Sequence, residues 1–136
     1  MSHVTPDEIV KATARSYGLD VELVKAGGPS PLDKQERRLR LEARTVAAYL
    51  IRRHTTATLQ QTCWALGLQH NRDGWDLIDA AKLIIPSSVG YDRAMAGRVE
   101  RTERRLDDLH ERRMVQLDIA ERARERQNER ATAWHA

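Results

Sequence analysis

At 136 residues, 40% hydrophobic and 32% charged, the chain is long enough for one small core with an extension and too short for two full cores. Its formal charge of +3 excludes a polycation, so a nucleic-acid surface has to come from local clustering of cations. The lone cysteine, Cys63, excludes an intramolecular disulfide, no apolar run reaches the roughly 18 to 20 residues of a membrane span, and the polar, acidic residues 1–10 lack the apolar segment of a signal peptide. A cytoplasmic protein with no membrane partner is the expectation.

Thr5, Pro6 and Glu8 have the spacing of a capping box with proline at the first helical position. This predicts a helix running to about Tyr17 and ended by Gly18. Asp20 is placed to cap a short helix holding Val21, Leu23 and Val24, and Gly27-Gly28-Pro29-Ser30-Pro31 breaks regular structure. Over residues 32–54, Leu39, Ala43, Val46, Ala47 and Leu50 form a helical apolar stripe. Between Lys34 and Arg53 this stretch carries Lys34, Arg37, Arg38, Arg40, Arg44, Arg52 and Arg53 against Glu36 and Glu42. That is a candidate phosphate-facing surface, in which each contacting arginine adds about one unit to the salt slope of binding. Thr58 and Gln61 predict a second capping box on a helix through Cys63, Trp64 and Leu66, ended at Gly67. A further helix carries Trp75, Leu77, Ile78, Ala81, Leu83 and Ile84 and stops before Pro86. Trp64 is assigned to the core, because a tryptophan in a chain without phenylalanine is more often buried.

Residues 87–90 have the composition of a linker, and residues 91–136 predict one long charged helix. Met95, Val99, Thr102, Leu106 and Leu109 keep a 4,3,4,3 spacing before the register slips to Met114 and Leu117. Met95, Val99, Leu106, Leu109, Met114 and Leu117 are therefore a candidate homo-oligomerisation seam. Packing back onto the preceding domain and a solvated helix are the alternatives.

Four phrases in order, Thr5-Pro6-Asp7-Glu8-Ile9-Val10, Glu42-Ala43-Arg44-Thr45-Val46-Ala47, Thr58-Leu59-Gln60-Gln61 and Arg72-Asp73-Gly74-Trp75-Asp76-Leu77-Ile78-Asp79-Ala80, carry a resemblance over residues 4–85. Together they resemble the DNA-binding C-terminal domain of the bacterial replication initiator DnaA family, a helix-turn-helix variant. The resemblance implies an all-α, DnaA C-terminal or Trp-repressor-like helix-turn-helix domain over residues 1–86, followed by the charged helix. It implies double-stranded DNA as partner, with Arg44 on phosphate or the minor groove and Thr58, Gln60 and Gln61 at the start of the motif's first helix. Leu77, Ile78, Ala80 and Ile84 stand at the family's apolar framework positions. Where the family has a base-contacting histidine and two hydroxyl residues stand Gly74, Trp75 and Asp76, and a later histidine is Asp79. Three residues beyond the family pattern, Gln69, His70 and Asn71, precede Arg72.

Gln69, His70, Asn71 and Arg72 carry donors suited to base edges, with Arg72 the best placed for guanine, and Trp75 is the aromatic candidate beside them. Cys63 and His70 do not have zinc spacing, and no nucleophile with a base partner stands out. No enzymatic activity, metal, cofactor or small-molecule substrate is expected, and no phosphate-binding G-x-x-x-x-G-K-[ST] motif lies in these residues. The leading expectation is a sequence-specific transcriptional regulator of phage or prophage type, working as a homo-oligomer. One alternative is a DNA-recognition subunit of a phage packaging or replication complex, a small-terminase-like ring. The other is a protein-interaction adaptor that has lost DNA, with Trp75 and the acids Asp73, Asp76 and Asp79 turned toward a protein partner.

Overall fold

The computed structural model describes residues 4–81 and 93–135. The regular structure among the described residues is all helical, with no strand. The order is α1 (Pro6–Ser16), α2 (Val21–Val24), α3 (Lys34–His54), α4 (Leu59–Ala65), α5 (Asn71–Ala81) and α6 (Arg93–His135). The expected linker at 87–90, the stop before Pro86, and Leu83 and Ile84 lie outside the described residues.

The boundaries follow local chemistry. Thr5 and Glu8 close a complete capping box on α1, and Thr58 and Gln61 close another on α4, each satisfying backbone donors that a helix start leaves open. A third cap was not foreseen: the Asp33 carboxylate accepts from the Glu36 N–H at 2.8 Å and starts α3. Asp20 stands at the N-cap of α2 without a side-chain cap bond. α1 and α4 end alike. Leu19 N–H donates to Ala14 O and Gly18 N–H to Arg15 O; Leu68 N–H donates to Cys63 O and Gly67 N–H to Trp64 O. Gly18 and Gly67 have φ of 65° and 70°, so both ends are Schellman turns in which glycine takes the left-handed position.

α3 runs through the centre, with Ala43, Val46, Ala47, Ala48, Leu50 and Ile51 buried. α1 packs on it with Ile9, Val10 and Ala14, and α5 packs on it with Leu77. α6 lies antiparallel on α1: the Arg98 guanidinium sits 4.9 Å above the Tyr17 ring at one end, and Arg113 pairs with Glu8 at the other.

This placement corrects the seam. Val99 and Leu106 are buried in the chain's own core, and Met95 and Leu109 pack against its edge. Thr102, between them, is fully buried. Four of the six seam residues are thus spent within the chain, because α1 and α3 expose an apolar surface that a helix with this spacing can cover at once. The first half of α6 belongs to the globular unit rather than to a separate tail. Beyond Arg113 the helix leaves the body, and residues 114–133 are exposed throughout, a projection of roughly 30 Å at 1.5 Å per residue. Met114 and Leu117 lie on it, with Val115 and Ile119, as exposed apolar residues.

Candidate nucleic-acid interface

α4 and α5 are two short helices packed on each other and joined by residues 66–70. Their approach is set by Gly74. A Cβ there would stand 2.4 Å from Cys63 Sγ and 3.0 Å from Leu59 Cδ1, so only glycine lets α5 come this near to α4. Gly74 therefore faces inward, against α4. Leu77 and Ile78 share its face and are buried. Cys63, enclosed at the same contact, has its thiol pKa pushed up by burial.

The opposite side of the pair is open. Gln69 and His70 in the turn, Asn71, Arg72 and Trp75 on α5, and Thr58, Gln60 and Gln61 on α4 are exposed. Thr58 and Gln61 are also tied to each other by the cap, with Thr58 N–H donating to Gln61 Oε1 at 2.9 Å and Gln61 N–H to Thr58 Oγ1 at 3.2 Å. Asp73, Asp76 and Asp79 share this exposed side. Trp64, expected in the core, is 66% exposed, and Trp75 is 53% exposed. The reason is position: on α4 the inward side is already filled by Thr62, Cys63 and Ala65.

The arginines of α3 do not form one patch. Arg37 and Arg52 are fifteen residues apart, roughly 22 Å along the axis, and the segment between them is largely buried. Arg37, Arg38 and Arg52 are exposed. Arg40 is 8% exposed, held by Glu36 at 2.8 Å and by the carbonyl of Pro29. Arg44 is half-buried and its Nε donates to the carbonyl of Val24 at 2.8 Å; burial, and then the charge of Arg40, hold its pKa below that of a free guanidinium. Arg53 donates to the Tyr49 hydroxyl at 2.8 Å and stands 4.0 Å from Glu103 of α6, which also lies 3.8 Å from His54. Arg40 and Arg44 thus brace the α2–α3 connection, a role that spacing alone does not distinguish from phosphate contact.

Two recesses flank the α4–α5 pair. One, of about 840 Å³, runs between the start of α1 and the α3–α4 connection and includes Arg53, His54, Gln61 and Trp64. The other, of about 460 Å³, lies under the α2–α3 loop and brings Lys25 together with Arg37, Arg40 and Arg44. The loop touches the α4–α5 turn directly, through Ala26 N–H donating to Leu66 O at 2.8 Å. Lys25 and the Gly27–Gly28 break were not counted among the site residues; the signal was a lysine beside a glycine pair, which reads equally well as an ordinary loop.

No family model, curated protein or solved structure matches the chain. Among the described residues, no group of three His, Cys, Asp or Glu side chains is arranged to hold a metal ion, and no helix is long and apolar enough to cross a membrane.

Proposed function

We propose that the chain binds duplex DNA through α4 and α5, as a sequence-specific transcriptional regulator with a helix-turn-helix of the DnaA C-terminal or Trp-repressor-like kind. The observation that carries this reading is the exposed polar cluster Gln69, His70, Asn71 and Arg72 at the start of α5, beside a cation-lined loop. A helix start bearing amide and guanidinium donors suits the major groove, where such groups read base edges. Asp76 and Asp79 on the same helix disfavour deep insertion along its whole length, so contact is confined to its first turn. Met114 and Leu117 remain open to a second copy of the chain, and two copies would read two half-sites. A ring-forming subunit of a phage packaging or replication complex would use the same surfaces with more copies.

The test is fluorescence anisotropy of the full chain on a labelled duplex at several salt concentrations, with unlabelled DNA from beside its own gene as competitor. Affinity that falls steeply with salt, preferential competition by that fragment, and a loss of roughly 10-fold or more in Arg72→Glu are expected. Absence of binding at low salt overturns the reading.

One observation favours a second reading. Trp64 and Trp75 are both more than half exposed, and large aromatics at the surface are a mark of protein interfaces. An adaptor that has lost DNA would show inert Arg72→Glu and a protein partner lost on Trp75→Ala.

A further inference from the structure

The recess under the α2–α3 loop has an unusual charge balance. Its lining includes Lys25, Arg37, Arg40 and Arg44, with the backbone of the Gly27–Gly28 break between them, and it contains no aspartate or glutamate. The nearest acid in the hydrogen-bond network is Glu36, which is committed to Arg40 at 2.8 Å and to the Leu32 N–H at 2.5 Å. Glu36 thus engages one of the four cations, Arg40. Glu22 approaches the loop through its backbone carbonyl, against Gly28, and its side chain is exposed.

Two of the cations are short of partners. Arg40 is 92% buried by its 8% exposure, and its Nε is enclosed with no hydrogen-bond acceptor. Arg44 donates to the Val24 carbonyl, and its pKa is pressed down by burial and by Arg40. Holding like charges together at a partly desolvated place costs free energy unless an anion offsets it. A guanidinium fork and an ammonium together match the oxygens of a tetrahedral anion.

From this juxtaposition we infer that the recess formed by Lys25, the Gly27–Gly28 loop, Arg37, Arg40 and Arg44 is a phosphate site. The shared chemistry is a phosphate monoanion or diester. Under the duplex-DNA reading, on which this choice of source rests, it is a backbone phosphate beside the bases met by α5. The loop's hydrogen bond to the α4–α5 turn then holds a phosphate clamp and the candidate base-reading residues in fixed register, positioning the protein where base contacts specify sequence.

The experiment uses the full chain, isotopically labelled, with inorganic phosphate as probe at constant ionic strength against chloride. Saturable amide shifts centred on Gly27, Gly28 and Ser30, lost in the double variant Lys25→Gln/Arg37→Gln, are expected. Those two side chains are chosen because neither makes a hydrogen bond that braces the fold, whereas Arg40 and Arg44 do; an unchanged unfolding midpoint confirms it. Absence of saturable shifts, or equal shifts at the exposed arginines of α6, means an adventitious ion only and overturns the site. The same variant is then titrated with duplex DNA. A salt slope smaller by about two, with weaker binding, assigns the phosphate to DNA. Phosphate binding without any DNA binding leaves the site standing for a free phosphate and sinks the DNA reading. Undiminished DNA binding by the variant, with no phosphate shifts in the parent, sinks the site and leaves the DNA reading intact.

Discussion

Gly74 has no side chain at the point where α5 meets α4, and the contact tolerates none. Alanine is the better helix former by about 1 kcal/mol, yet its methyl group would overlap Cys63 Sγ, an overpacking cost of about 1–3 kcal/mol. Gly74→Ala is therefore expected to lose about 1 kcal/mol in urea unfolding, and Cys63→Ala in the same chain to recover most of it. Additive losses would mean that the two do not touch. Trp64 gives the opposite case. At 66% exposure, Trp64→Ala is expected to change stability by less than about 0.5 kcal/mol, whereas a core tryptophan would cost about 3–5 kcal/mol. Calorimetry distinguishes the two. Neither role was legible in the residues alone. A glycine inside a helix pattern and a tryptophan between Cys63 and Ala65 have their meaning set by what lies across the contact, and that information is not local.

Helix starts and stops were legible because each is written in a few adjacent residues: Thr5 with Glu8, Thr58 with Gln61, and glycine at the left-handed position of 18 and 67. The pairing of elements was not. α1 and α6 are joined at one end by the Glu8–Arg113 ion pair, between residues more than a hundred positions apart. Burial pushes the Glu8 carboxyl up, but the bonds from Arg113 and Thr5 outweigh it and hold the group below its usual 4.5. A carboxyl depressed in the folded state contributes stability that is present above about 4.5 and lost as pH falls through the lower folded value. Both side chains are partly exposed, so the pair is worth about 1 kcal/mol or less. Arg113→Ala should therefore be less stable than the parent by that amount at pH 7, with the gap closing as the pH is taken from 5 to 3. A gap that stays constant over that range would show that Arg113 acts through packing alone.

For the whole molecule, the division lies within α6 rather than before it. Removing residues 114–136 is expected to leave the unfolding free energy unchanged within about 0.5 kcal/mol, because residues 114–133 are all exposed. Leu106→Ala, at a fully enclosed position, is expected to cost about 2–5 kcal/mol. A seam reserved for a second copy would give the reverse: a stable monomer with Leu106→Ala, altered only in association, as sedimentation would show. The all-helical class, the caps, the long central helix and the polar start of α5 were open to reading from the residues in order, since periodicity and capping are properties of neighbours along the chain. Periodicity also says that one face of a helix is buried. It does not say against what. The same spacing of Met95, Val99, Leu106 and Leu109 serves a partner's helix or the chain's own α1, and the surface left uncovered by α1 and α3 decided for the latter. Likewise, arginines four residues apart are identical in sequence whether they meet solvent or brace a loop; the path of residues 25–31 over α3 turned Arg40 and Arg44 inward and left Arg37 at the rim.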